Sequence, residues 1–178
     1  MRVGPRPSPR AAYCHSWSVL HPVSDRGIRI LCERLQDPDP DVRGAAAKTL
    51  GWCGAPADQA VPALIAALED PDPRVRPSAI HSLYDFGPHA KAATPVLIGL
   101  LRNSDQDAAT RKGASEGLGK IGPEAREAEQ ALVAVLLDRT QETQLRRLSA
   151  WSLGELGPPG ELFLVLAFPS ALARTQCH

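Results

Sequence analysis

Residues 37–51, DPDPDVRGAAAKTLG, return thirty-three residues later as DPDPRVRPSAIHSLYDFG, residues 70–87. Val42 maps onto Val75, Arg43 onto Arg76, Ala46 onto Ala79 and Leu50 onto Leu83. A third copy, SDQDAATRKGASEGLGKIG, carries Arg111, Ala114, Leu118 and Gly122. A fourth, TQLRRLSAWSLGELG, carries Arg146, Ser149, Leu153 and Gly157, each set shifted by 35 residues. Between the copies a second segment recurs, with Leu31, Leu64, Leu97 and Leu132 in one column and Leu35, Leu68, Leu101 and Leu136 in another. A two-segment unit present four times decides the fold, because one such unit cannot bury its own apolar face.

Both segments have helical period. Val61, Leu64, Ile65 and Leu68 recur at i, i+3, i+4 and i+7, and so do Val75, Ala79, Leu83 and Phe86. Asp-Pro-Asp-Pro ends the first helix (A) and starts the second (B): the residue before proline avoids helical geometry, and aspartate caps the next helix. Gly54, Gly87, Gly122 and Gly157 close helix B, where a left-handed residue costs glycine least, and Pro88, Pro123 and Pro158 follow three of them. Stacked A–B pairs make an all-α, right-handed α-solenoid. Cys32 shares a column with Ile65, Ile98 and Val133, and Cys53 with Phe86, Ile121 and Leu156, so both thiols are expected to serve as buried apolar groups. The column Ala46, Ala79, Ala114, Ser149 is small, which predicts a close helix approach there.

Composition agrees. Of 178 residues, 43% are hydrophobic but only 4% aromatic, a mixture suited to packed helices. Twenty Lys and Arg balance twenty Asp and Glu, and residues 24–157 hold 16 basic against 19 acidic groups. That deficit of cations argues against a nucleic-acid binder. The four cysteines form neither a CxxC pair nor a metal-ligand pattern, so no metal or cofactor is called for. Residues 1–23, basic at Arg2, Arg6 and Arg10 without an apolar run, read as an irregular leader. The only long apolar run, Leu162–Phe168, is too short to cross a bilayer. A cytoplasmic location is expected.

The pattern D-P-D-P-x-V-R-x-x-A-x-x-x-L with its closing G-P resembles the HEAT-repeat family, in particular the short bacterial-type subclass of phycobilisome-lyase-like proteins. The resemblance covers residues 24–157 in about four HEAT-like pairs. Residues 158–178 form a partial fifth unit or cap, in which Ala167 and Phe168 fall one period after Leu132 and Val133. It implies a ladder of charges linking neighbouring units, in which Asp37, Asp70, Asp105 and Asp138 pair with Arg43, Arg76, Arg111 and Arg146. The last turn, DRTQETQLR, is longer by two residues and lacks the prolines. The ladder is expected to hold the fold together, since a residue specific to one partner need not recur in every unit.

By the same resemblance the B helices line a concave binding face. Positions at i, i+4 and i+8 share one side of each B helix and change from copy to copy: Gly44, Lys48, Trp52; Pro77, His81, Asp85; Lys112, Glu116, Lys120; Arg147, Trp151, Glu155. Variation inside a repeating frame leaves these residues free to specify a partner, and Trp and Arg are frequent interface anchors. The competing reading is a solvated helix face carrying i,i+4 ion pairs such as Glu116–Lys120. No His is followed by Glu, as the iron-binding HEAT-fold hydroxylases require, and neither GxxxxGKS nor HExxH occurs. No catalytic residue is therefore assigned. The expected role is a non-catalytic scaffold for another protein or peptide, with self-association through the apolar C-terminal end a further possibility. The alternative is a bilin-lyase-like enzyme or a chaperone of a chromophore-bearing protein.

Overall fold

The computed structural model describes residues 24–157; the expected leader at 1–23 and the expected partial repeat at 158–178 lie outside them. Every regular element among the described residues is helical. The chain divides between Asp85 and Phe86 into two compact units. The first contains α1 (Asp25–Arg34), α2 (Pro40–Trp52), α3 (Ala57–Ala67) and α4 (Arg76–Phe86), the last of which reaches across the boundary by one residue. The second contains α5 (Thr94–Arg102), α6 (Ala108–Ile121), α7 (Glu129–Leu137) and α8 (Thr143–Glu155). Within each unit A helices pack on A helices, α1 on α3 and α5 on α7. B helices do likewise, α6 packing on α8 and α2 touching α4. This two-layer stacking is that of an α-solenoid.

The leucine columns are the core. Leu50, Leu64, Leu68, Leu83, Leu97, Leu101, Leu118 and Leu132 are all essentially inaccessible to water. Cys32 and Cys53 are half-buried rather than sealed. Burial pushes both thiols up, with Cys53 adding to the effect at Cys32, so both stay protonated at neutral pH. The closing glycines all adopt positive φ, +66° at Gly54, +54° at Gly87, +70° at Gly122 and +99° at Gly157. After Gly87 and Gly122 the chain runs through 3-10 segments, Gly87–Ala93 and Gly122–Ala128, before helix A begins. The buried alanines Ala90, Ala93, Ala125 and Ala128 seat those segments on the core.

Neighbouring B helices meet more closely than the Ala46, Ala79, Ala114, Ser149 column suggests, and at a different column. A Cβ on Gly51 would stand 2.9 Å from Ser82 Cα, and one on Gly119 would stand 2.9 Å from Ser152 Cα. The serine hydroxyl then donates to the carbonyl one turn before the glycine, Ser82 Oγ to Ala47 at 2.8 Å and Ser152 Oγ to Ser115 at 2.7 Å. A fully buried hydroxyl without that acceptor would cost about 1–3 kcal/mol. The glycine lets the helices touch, and the hydroxyl fixes their register.

The turns between A and B helices depart from the expected ladder. The aspartate that ends helix A folds back on its own turn: Asp37 Oδ1 accepts from Asp39 N at 3.0 Å, Asp70 Oδ1 from Asp72 N at 2.8 Å and Asp138 Oδ1 from Thr140 N at 2.9 Å. In the third repeat Asn103, not Asp105, takes this position, accepting from Asp105 N at 2.9 Å. Asp105 is exposed and its carboxylate has no partner among the described residues. The third turn is thus longer by two residues, as the fourth is, and Asp107 caps α6 through Thr110 N and Oγ1.

The arginines bind backbone within their own repeat, not the aspartate side chain. Arg43 donates to the Asp37 carbonyl, Arg76 to that of Asp70, Arg111 to that of Leu101 and Arg146 to that of Leu136. Arg43 also reaches into the following repeat, where it forms a two-pronged pair with Asp70, Nε to Oδ2 at 2.7 Å and Nη2 to Oδ1 at 2.8 Å. The two side chains are 13% and 6% exposed, so the pair is a structural clasp rather than a solvated contact. Asp138 stands in the same sequence relation to Arg111. Hydrogen bonds from Thr140 and Gln141, with the Arg111 charge adding at the end, bring its carboxyl down to about 2.

Two outcomes test this packing. Gly119→Ala should cost about 1–3 kcal/mol by overpacking, although alanine favours helix. Gly99→Ala, the same change in α5 with open space around it, should add about 0.5–1 kcal/mol. Urea titration of both variants reads the difference in sign. Asp70→Ala takes the carboxylate from the Arg43 clasp and should lower the urea midpoint. The Arg43 hydrogen bonds hold the Asp70 carboxyl below the usual carboxylate range. The clasp therefore contributes fully at neutral pH and is lost as pH falls below about 4, where the unfolded carboxyl takes up its proton first. Melting curves from pH 7 to pH 3 should show an acid loss that is smaller in the variant.

Candidate functional site

In the first unit the variable positions of α2 and α4 are largely solvent-exposed. Trp52, the last residue of α2, keeps 49% of its surface exposed although the chain has only three tryptophans. Lys48 lies one turn earlier and places its ammonium 4.5 Å from the Trp52 ring centroid, a cation–π contact. On α4, His81 stacks on Tyr84 with ring centroids 6.3 Å apart and planes within 5°. Its Nε2 stands 3.9 Å from Asp85 Oδ2. His81, which sequence alone leaves without a partner, therefore has two on its own helix. Gly44 and Pro77 open the two rows.

In the second unit the corresponding positions lie on α6 and α8, which pack side by side. Lys112 pairs with Glu142 at 3.4 Å, across the α6–α8 contact rather than along its own helix. Glu116 is half-buried and has no polar partner among the described residues, and Lys120 is exposed. Arg147 donates from Nη1 to the neutral Gln144 amide oxygen at 3.2 Å. Trp151 is 41% exposed. Its Cζ3 stands 2.9 Å from where a Cβ on Gly119 would be, so the absence of a side chain there makes room for the indole against α6. Glu155, one turn further on, is exposed and without a partner among the described residues.

Each unit thus shows a half-exposed tryptophan one turn after a cation, Lys48–Trp52 and Arg147–Trp151. Sequence reading selected both tryptophans but missed what supports them. The signal for Trp151 was Gly119, a glycine inside an otherwise regular helix, which marks a close approach. Among the described residues no group of three or more His, Cys, Asp or Glu could hold a metal. None of the helices there is long and apolar enough to cross a membrane. Lys91 and Glu124 pair at 2.7 Å, joining the two 3-10 segments on the surface.

Residues 28–107 match the family model described as HEAT repeats. Over that stretch, 80 of the 178 residues, the chain is similar to HEAT repeats. Among solved structures, two engineered proteins share the fold. One has a TM-score of 0.63 at 21% identity over 82% of this chain and 68% of that one. The other has a TM-score of 0.63 at 18% identity over 84% and 70%. The complex of CpcE and CpcF of phycocyanin lyase from Nostoc sp. PCC7120 is similar too, with a TM-score of 0.62 at 24% identity over 92% of this chain and 71% of that chain. At such identities the likeness is one of fold. No curated protein matches the chain. The HEAT resemblance drawn from the D-P-D-P and V-R spacing therefore holds, and so does the all-α solenoid class.

The Lys48–Trp52 contact gives a local prediction. Lys48→Met keeps an alkyl stem against the ring and removes the charge, so urea titration should show a loss of about 0.5–1 kcal/mol.

Proposed function

We propose that this protein is a non-catalytic scaffold whose B helices bind another polypeptide through their exposed, variable face. The observation that carries the reading is the pair of half-exposed tryptophans, Trp52 and Trp151, each one turn beyond a cation. Large rigid aromatics beside a guanidinium or ammonium anchor protein interfaces, because they bury much area at little conformational cost. Leaving two indoles in water costs stability that a partner would recover. Lys48, His81 and Asp85 in the first unit, and Lys112, Glu116, Lys120, Arg147 and Glu155 in the second, surround these anchors and set polarity. The recurrent turn residues, Asp37, Arg43, Asp70, Arg76, Arg111, Asp138 and Arg146, support the frame. A cytoplasmic setting accords with the unpaired half-buried thiols Cys32 and Cys53.

The second reading is a bilin-lyase-like enzyme or a chaperone of a chromophore-bearing protein. What favours it is the fold shared with the CpcE–CpcF complex. Affinity capture from the native host, followed by mass spectrometry and visible absorbance, separates the two. A colourless protein retained by the wild type and reduced about tenfold or more by Trp151→Ala supports the scaffold. A bound tetrapyrrole or a phycobiliprotein supports the lyase reading. Equal retention by wild type and by a folded Trp52→Ala/Trp151→Ala variant would remove the B-helix face from consideration.

A further inference from the structure

We infer, resting on the scaffold reading, that the exposed face of α8 seats an extended polypeptide segment in which an acidic, an apolar and a basic side chain occupy alternate positions. Arg147, Trp151 and Glu155 follow one another at four-residue intervals along α8. At 1.5 Å per residue they stand about 6 Å apart along the axis and share one side of the helix. Alternate side chains of an extended chain on one face are spaced about 6.6 Å, so three of them meet the three α8 residues in register.

The three α8 groups are chemically distinct and open to a ligand. The Arg147 guanidinium bonds to the neutral Gln144, leaving its charge uncompensated among the described residues. Trp151 brings Cζ3 against the bare Gly119 position and keeps 41% of its surface exposed, which leaves aromatic area for a ligand. Glu155 has no described partner. Complementarity requires a carboxylate opposite Arg147, an apolar group on the indole and a cation opposite Glu155. Residues 24–157 carry 16 basic against 19 acidic groups and the α8 row itself ends on Glu155, so the occupant is a polypeptide of mixed charge rather than nucleic acid. A single indole also disfavours a docked helix, which needs several apolar anchors along a groove.

The test is a titration of the full chain, isotopically labelled, with three soluble peptides, reading the Trp151 indole N–H resonance assigned by its loss in Trp151→Phe. Gly-Asp-Ser-Leu-Ser-Lys-Gly and its charge-reversed counterpart Gly-Lys-Ser-Leu-Ser-Asp-Gly present the pattern in the two chain directions. The third is a helix-stabilised peptide with the same groups at four-residue spacing. One extended order should bind about tenfold more tightly than the other, and Arg147→Glu/Glu155→Arg should reverse the preference. Both substituted residues are exposed, and a melting curve checks that the variant is folded. A preference unchanged by the swap, tighter binding of the helical peptide, or no shift with any peptide overturns the inference. If these peptides fail while capture of a protein still depends on Trp151, the scaffold reading stands and only the extended-segment inference falls. If that capture is independent of the tryptophans, the parent reading falls as well.

Discussion

In each unit a glycine leaves no room for a side chain against a serine of the next B helix. Gly51 meets Ser82 in the first unit and Gly119 meets Ser152 in the second, and each serine hydroxyl bonds a carbonyl on the facing helix. A helical pair has an apolar stripe too wide to bury alone, so its stability depends on how closely the next pair approaches. A side chain at either glycine would push the B helices apart and strip dispersion contacts from the leucines beneath, which are packed to near exclusion of water. The hydroxyl adds direction to what apolar packing leaves undirected. A slide of α4 along α2 would take the buried Ser82 hydroxyl from its acceptor, whereas Ser152 also has the Leu148 carbonyl of its own helix within 2.9 Å.

The same close approach shapes the proposed binding face. Because Gly119 has no side chain, the Trp151 indole can bring Cζ3 in against α6. One bare position on α6 thus admits both the Ser152 backbone and the edge of the Trp151 ring. Lys48 does for Trp52 by charge what Gly119 does for Trp151 by shape. The turns act at the opposite end of the B helices. There the arginine at the start of each helix ties its own turn through a backbone carbonyl, and Arg43 extends to the carboxylate of the following repeat. A guanidinium has donors enough for both tasks, whereas an ammonium lacks the fixed fork geometry.

Much of this was legible in residue spacing. The four copies, their helical period and the positive-φ glycines follow from local chemistry: period 3.6 is visible as recurring Leu and Ala, and only glycine reverses the chain cheaply after a helix. The third turn was misread because Asp105 follows Ser104 much as an aspartate opens the other turns. Asn103 can form the same side-chain bond to the amide two residues on, and took the place. The ladder was misread for a related reason. Spacing reports that an arginine recurs six or eight residues after the turn, but not whether its donors meet a carboxylate or a carbonyl.

By itself, then, the sequence determined the helices, their pairing, the turn glycines and the set of positions free to vary, since each of these is imposed within a few residues of chain. Only the tertiary structure decided which small residues bring the B helices into contact, which acceptors the arginines take, and which variable residues are already satisfied by a neighbour. The helix contacts and the Arg43 clasp depend on distances between residues more than twenty apart in the chain, such as Arg43 with Asp70 or Gly119 with Ser152, and the local pairs depend on rotamers that spacing does not report. Angstrom-scale approach, not periodicity, sets whether a hydroxyl, a ring or a guanidinium reaches its partner.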